Sequence, residues 1–169
     1  VKIVIPSFVY LVTKLVMSDR VGEWCRFPYP NHPQGCPNYG KAERCPPKAP
    51  AVGEYFDISR PMYLVHSEFD LDRHRLRMRD AHPQWSHRQC SCVLYWQSTS
   101  RKQLKERCRE AMRLLGLDGM AMVPEAMGVN VYATARISGL ILEPIRLLKT
   151  CRHVALIGHK KGKKQGRLF

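Results

Sequence analysis

The chain has 169 residues, with 28 Lys and Arg against 14 Asp and Glu, a formal charge of +14. Hydrophobic content of 44% and charged content of 25% exclude a disordered polyelectrolyte and fit one domain with its own core. Seven cysteines cannot all pair in disulfides. The apolar start, 1–17, is broken by Lys2, Pro6 and Lys14 and is too short for a membrane span, so no membrane partner and a reducing cytoplasm are expected.

In chain order, the β-branched run 1–5 reads as a strand stopped by Pro6. From Phe8, apolar residues at 8, 11, 12, 15 and 16 follow helical spacing, with Ser7 as a cap. Residues 25–53 hold Pro28, Pro30, Pro33, Pro37, Pro46, Pro47 and Pro50, a density that excludes helix and central strand. Residues 61–65 read as a strand. Asp70 caps a helix over 71–80 that carries Arg73, Arg75, Arg77 and Arg79.

Ser86-His87-Arg88-Gln89 is a capping box. Apolar or small residues then recur at Val93, Trp96, Ser100, Leu104, Cys108, Ala111 and Leu115, which predicts one amphipathic helix over 88–115, bent near 98–100 and stopped by Gly116. A short strand over 120–123, a helix over 131–138 between Asn130 and Gly139, and a last strand over 152–157 complete the domain. The elements do not alternate as βαβ units, so the expected class is α+β. It is a single domain over 1–158, a small mixed sheet with a long amphipathic helix and a proline-rich metal-binding loop, followed by a basic tail over 159–169.

The chemistry is expected in that loop. Cys25, Cys36 and Cys45 are separated by ten and eight residues, and none forms the C-x2-C pair usual at zinc sites. Cysteine followed by proline at Cys36 and Cys45 matches the ends of ferredoxin-type cluster motifs, and Gly35 and Gly40 allow close backbone approach. The expected cofactor is an iron–sulfur cluster of the [4Fe–4S] type, with zinc as the alternative. A fourth ligand is expected from the N-terminal turns of the capped helix, where the helix field favours a thiolate. Cys92 is preferred there, with Cys90 as the alternative and His32 as another. Cys108, in the apolar stripe, and Cys151 read as structural thiols.

Glu125, just before Gly128 and a helix start, is a candidate general base; its other reading is a loop carboxylate paired with Arg136. No phosphate-binding glycine loop, nucleophile elbow or H-E-x-x-H occurs. The charge of +14 predicts contact with RNA or DNA phosphates or an acidic protein partner, and Lys160, Lys161, Lys163 and Lys164 are candidates for the nucleic-acid contact.

Gly35-Cys36-Pro37-Asn38-Tyr39-Gly40-Lys41 with Cys45-Pro46-Pro47, and later Pro124-Glu125-Ala126-Met127-Gly128-Val129-Asn130-Val131 with Thr134-Ala135-Arg136, resemble the "predicted metal-binding protein" family of archaea and bacteria. The resemblance covers both ends of the domain. It implies a cysteine-bound metal, with iron–sulfur expected, but no particular reaction. The second cysteine cluster typical of that family has no counterpart in the later half here, and the region from His82-Pro83-Gln84-Trp85-Ser86 to Leu94-Tyr95-Trp96 marks a divergent subgroup. The expected function is a redox or electron-transfer role. An iron–sulfur enzyme with an open iron, acting in sulfur transfer or removal on a nucleobase, and a metal-stapled RNA- or DNA-binding module are the alternatives.

Overall fold

The structure is a computed structural model that describes residues 4–29, 32–144 and 147–162. Its class is α+β. Four strands form the main sheet in the order β1-β2-β6-β4: β1 is Val9–Leu11, β2 Tyr63–His66, β4 Gly119–Ala121 and β6 Val154–Gly158. Every pair is antiparallel, so the sheet is not the mixed one expected.

β6 is buried along its whole length because both faces of the sheet are covered. Val154 and Leu156 face one cluster with Leu64, Phe56, Val52, Val131 and Ala135. Ala155 and Ile157 face the other, with Val65, Leu104, Cys108 and Ala111. The first cluster is closed by α2 (Val52–Tyr55) and α6 (Val131–Ile137), the second by the long helix α5 (Gln97–Leu115). Register follows the pleat: Leu64 pairs with Leu156 and Val65 with Ala155, so each face keeps its own apolar set.

A smaller sheet pairs β3 (Phe69–Asp70) with β5 (Thr150–Cys151). It starts α3 (Leu71–Ala81), whose first turn is capped by Asp70 accepting from Arg73 N (2.9 Å). Asn130 caps α6 in the same way, accepting from Ala133 N (3.0 Å). Gly116 ends α5 in the left-handed conformation at φ 64°.

Two expected elements are different. The helix expected from Phe8 is strand β1 followed by irregular chain. Val9 and Leu11 pair with β2, and Val16 is tied to α6 by its N–H to Thr134 Oγ1 (3.1 Å) and its carbonyl to Asn130 N (2.8 Å). The strand expected over 1–5 is absent at residues 4 and 5; residues 1–3 lie outside those described.

The single helix over 88–115 is three pieces: α4 (His87–Cys90), a 3-10 turn Val93–Tyr95, and α5. The capping box forms, with Gln89 N donating to Ser86 Oγ (3.3 Å) and Ser86 N to Gln89 Oε1 (2.8 Å). The break has two causes. Ser91 Oγ donates back to the His87 carbonyl (2.7 Å), and Trp96 turns inward to stack on Phe69 at 5.0 Å while its Nε1–H reaches the Ser91 carbonyl (3.2 Å). Trp96 belongs to a third apolar cluster with Leu71 and Cys151, and an unbroken helix would not point it there.

The basic tail begins inside the fold. Lys160 N donates to Asp118 Oδ1 (2.8 Å), and Lys161 Nζ to the Gly53 carbonyl (2.9 Å). Lys163 and Lys164 lie outside the described residues.

Phe56 is fully buried where β4 and β6 run side by side, and it requires glycine on both strands. A Cβ at Gly119 would lie 2.7 Å from Phe56 Cε1 and 3.0 Å from the Gly158 carbonyl oxygen. Gly119→Ala is therefore expected to destabilise the fold by about 1–3 kcal/mol through overpacking. Gly162→Ala, with open space around it, should be neutral. Urea denaturation of both variants checks the difference.

Candidate metal centre and the adjoining cavity

α1 (Val21–Trp24) is anchored by buried Val21 and delivers Cys25 at its C-terminal end. The proline-rich loop then folds mainly through backbone hydrogen bonds, with Lys48 Nζ donating to the Lys41 carbonyl (3.2 Å) and to Glu43 Oε1 (3.0 Å). Cys36 N donates to the Cys25 carbonyl at 2.7 Å, which fixes the first two cysteines side by side. Gly35 permits this pairing. It lies at φ 81°, and a Cβ there would collide with the Cys25 carbonyl oxygen and come within 2.7 Å of the Arg26 carbonyl carbon. A chain of turns follows: Tyr39 N to the Cys36 carbonyl (3.1 Å), Cys45 N to the Ala42 carbonyl (3.0 Å), and Gly40 N to the Pro46 carbonyl (2.8 Å). Buried Pro46 returns against Gly22 of α1, bringing Cys45 back to the start of the loop.

The three thiols share one electrostatic environment. The Cys25 thiol is held above its ordinary pKa, first by burial, then by the negative charges of Cys36, Cys45 and Glu125. Glu125 comes from the 3-10 turn Pro124–Met127, which packs against α1. Burial raises its carboxyl above the usual range, offset in part by its own backbone N–H. The pairing with Arg136 is not among the ion pairs of the described residues.

Cys25, Cys36, Cys45 and Glu125 line one cavity of about 1020 Å³. Its wall also carries Arg101 and Lys105 of α5, and Cys151, Arg152 and His153 at the β5–β6 connection. Among the described residues no three His, Cys, Asp or Glu side chains are close enough to share a single metal ion. A tetrahedral zinc site needs its sulfurs only about 3.8 Å apart, given Zn–S bonds of about 2.3 Å. A cluster binds each thiolate to a different iron and so takes a wider triangle.

Cys92 does not line this cavity, and neither does Cys90. The expectation that Cys92 faces the centre assumed a continuous helix. The chain breaks after Cys90, so Cys92 is the half-buried residue ahead of the 3-10 turn, while Cys90 is sealed in the interior. His32 is also outside the lining. It forms a two-way backbone pair with Tyr29 and its ring lies against Tyr29 at 4.6 Å. Cys108 is a fully buried core thiol, pushed up to about 12 by burial.

Sequence reasoning missed several lining residues, among them Cys151, Arg101, Lys105 and His153. Cys151, pushed up to about 11 by burial, reads from sequence as a structural thiol, and Arg101, Lys105 and His153 lie in no motif. No protein-family model, curated protein or solved structure matches the chain.

Cys108 gives a pH test with a defined sign. Its folded pKa is raised, so its contribution to stability is complete below about pH 9 and is lost as pH rises toward about 12. Denaturation midpoints of the metal-free chain should fall over that window, and less steeply in Cys108→Ala; identical alkaline slopes would contradict the burial argument.

Proposed function

We propose that Cys25, Cys36 and Cys45 hold an iron–sulfur cluster of the [4Fe–4S] type, and that Glu125 and the cavity flank the iron that no loop thiolate binds. The observation that carries this reading is the convergence on a single cavity of three loop thiols and one half-buried carboxylate that has no ion pair among the described residues. When bound, such a centre supplies an open Lewis-acid position for an oxygen or sulfur of the substrate.

The chain's own residues supply the rest. The three cysteines orient the centre. Glu125, whose pKa is moved toward neutrality by burial, accepts and returns a proton in the cavity. An electron carrier would use the same ligands but needs no such cavity, so an enzyme acting on a bound substrate is favoured over simple electron transfer. Sulfur transfer or removal on a nucleobase is the reaction class in view.

Anaerobic reconstitution with iron and sulfide should give absorbance near about 400 nm and similar amounts of the two elements. Cys25→Ser, Cys36→Ser and Cys45→Ser should each lose most of the iron, while Cys92→Ser and Glu125→Gln should keep it. Stoichiometric zinc without sulfide, or a Cys45→Ser variant with a full, stable cluster, would contradict the reading.

Nucleic-acid binding is favoured by a separate observation. His82, Trp85 and Tyr95 stack in a ladder, at 3.9 Å and 5.6 Å between successive ring centroids. Tyr95 and its neighbour Leu94 remain 55% and 72% exposed. The ladder follows α3, on which Arg73, Arg77 and Arg79 are exposed. Aromatic faces beside cations suit single-stranded RNA or DNA, with stacking of about 1–3 kcal/mol per base. Fluorescence titration with a short oligonucleotide should show affinity falling steeply with salt, and Tyr95→Ala weakening binding about tenfold or more. Salt-insensitive binding, or an unchanged Tyr95→Ala, would count against it.

A further inference from the structure

We propose that the part of the cavity between the first turns of α5 and the β5–β6 connection is a phosphate-recognition subsite, in which Arg101 and the Nε2–H of His153 hold a phosphate group of the substrate. The proposal rests on reading the cavity as a substrate pocket; it does not require the metal.

The argument begins with two buried serines. Ser67 and Ser100 are almost fully buried, and their hydroxyl oxygens lie 2.8 Å apart. Ser100 Oγ also lies 2.8 Å from His153 Nδ1, and the His153 backbone N–H donates to Ser67 Oγ (2.9 Å). The ring of bonds can run in two directions. If His153 Nδ1 carried the hydrogen, Ser100 would accept it and donate to Ser67, and the buried Ser67 hydroxyl hydrogen would have no partner among the described residues. If Ser67 donates to Ser100 and Ser100 donates to Nδ1, both hydroxyl hydrogens are used. The second direction places the His153 hydrogen on Nε2.

That Nε2–H is available. It has no hydrogen-bond partner among the described residues, and the one sealed and unpartnered side-chain nitrogen there is His74 Nε2. His153 lines the cavity, where such a donor would be open to a ligand. The serines fix the ring against the wall, and Trp96 lies beside it at 5.9 Å.

The charges around it point to an oxyanion. Arg101, one residue after Ser100, lines the same cavity, is exposed, and has no ion pair among the described residues. Arg152 is committed to Glu68 at 3.4 Å, and Glu68 also meets Arg107 at 3.6 Å. The Glu143 carboxylate is occupied by the N–H groups of Lys149 (2.7 Å) and Thr150 (3.2 Å). A free guanidinium, a neutral imidazole donor and Lys105 nearby match a phosphate with several acceptor oxygens. Burial and the Arg101 charge hold the His153 imidazole below its ordinary pKa, in agreement with a neutral donor.

Arg101 and His153 belong to α5 and the β5–β6 connection, and the thiols to the proline-rich loop, yet both groups line the same cavity. A substrate whose phosphate sits at Arg101 and His153 can therefore direct another part of itself toward Cys25, Cys36, Cys45 and Glu125.

The test is a titration of the full chain, followed by the imidazole nitrogen signals of His153. Probes are inorganic phosphate, adenosine monophosphate and a single-stranded oligonucleotide without terminal phosphate. The free protein should show the Nε2–H tautomer, and phosphate should shift that signal saturably. A response to the mononucleotide alone assigns the subsite to a terminal phosphate, and a response to the oligonucleotide assigns it to the backbone of a nucleic acid. Arg101→Gln should weaken phosphate binding about tenfold, as expected for a charge-assisted hydrogen bond. Arg113→Gln, which removes the same charge near the other end of α5, should leave it unchanged. Equal effects of the two substitutions, an Nδ1–H tautomer, or no phosphate response at His153 would overturn the proposal. Cys45→Ser separates it from the metal reading: phosphate binding should persist in that variant whatever becomes of the iron, and its loss there would count against a separate subsite.

Discussion

The architecture around the candidate site depends on the approach of Gly35 to the backbone of Cys25 and Arg26. Among the described residues between α1 and α2, only Gly35 and Pro46 are buried. A segment with so little apolar burial cannot be held by the hydrophobic effect. Its order comes from turns, from the Cys36 N–H bond to the Cys25 carbonyl, and from the return of Pro46 onto α1. Those same contacts converge three thiols. Burial, and after it the negative charges of Cys36, Cys45 and Glu125, disfavour the Cys25 thiolate. A positively charged cluster core would offset that cost, and under the proposed function its binding would contribute directly to folding.

The sheet supplies the rigid side of the site. β6 is buried on both faces and leads back through the β5–β6 connection to His153 and Cys151. α5 packs on that sheet through Leu104, Cys108 and Ala111, so Ser100 and Arg101 at its start are positioned by the core rather than by the loop. The cavity thus has one wall built by turns and another built by packed secondary structure. A ligand bridging them would tie the proline-rich loop to the sheet.

Local signals were legible in the sequence. Asp70, Asn130, the Ser86–Gln89 box and Gly116 all act within one helical turn, and each was found where expected. The cysteine loop was legible because its residues are close in sequence and its proline density excludes other structure. The misreadings were tertiary. The spacing at Phe8, Leu11, Val12, Leu15 and Val16 fits a helix, but pairing with β2 makes Val9–Leu11 a strand. The break at Ser91 depends on Trp96 finding Phe69, and it moved Cys92 away from its expected place. The Ser100–His153 contact joins residues 53 positions apart, beyond the reach of any periodicity.

The most direct measurement is Mössbauer spectroscopy of the chain reconstituted with isotopically enriched iron. Three loop thiolates and a carboxylate-flanked open position predict one iron distinguishable from the rest, about a quarter of the signal in a four-iron cluster, and altered by Glu125→Gln. Iron sites that are all equivalent and thiolate-bound, or a preparation that takes up no iron with the three cysteines reduced, would contradict the account.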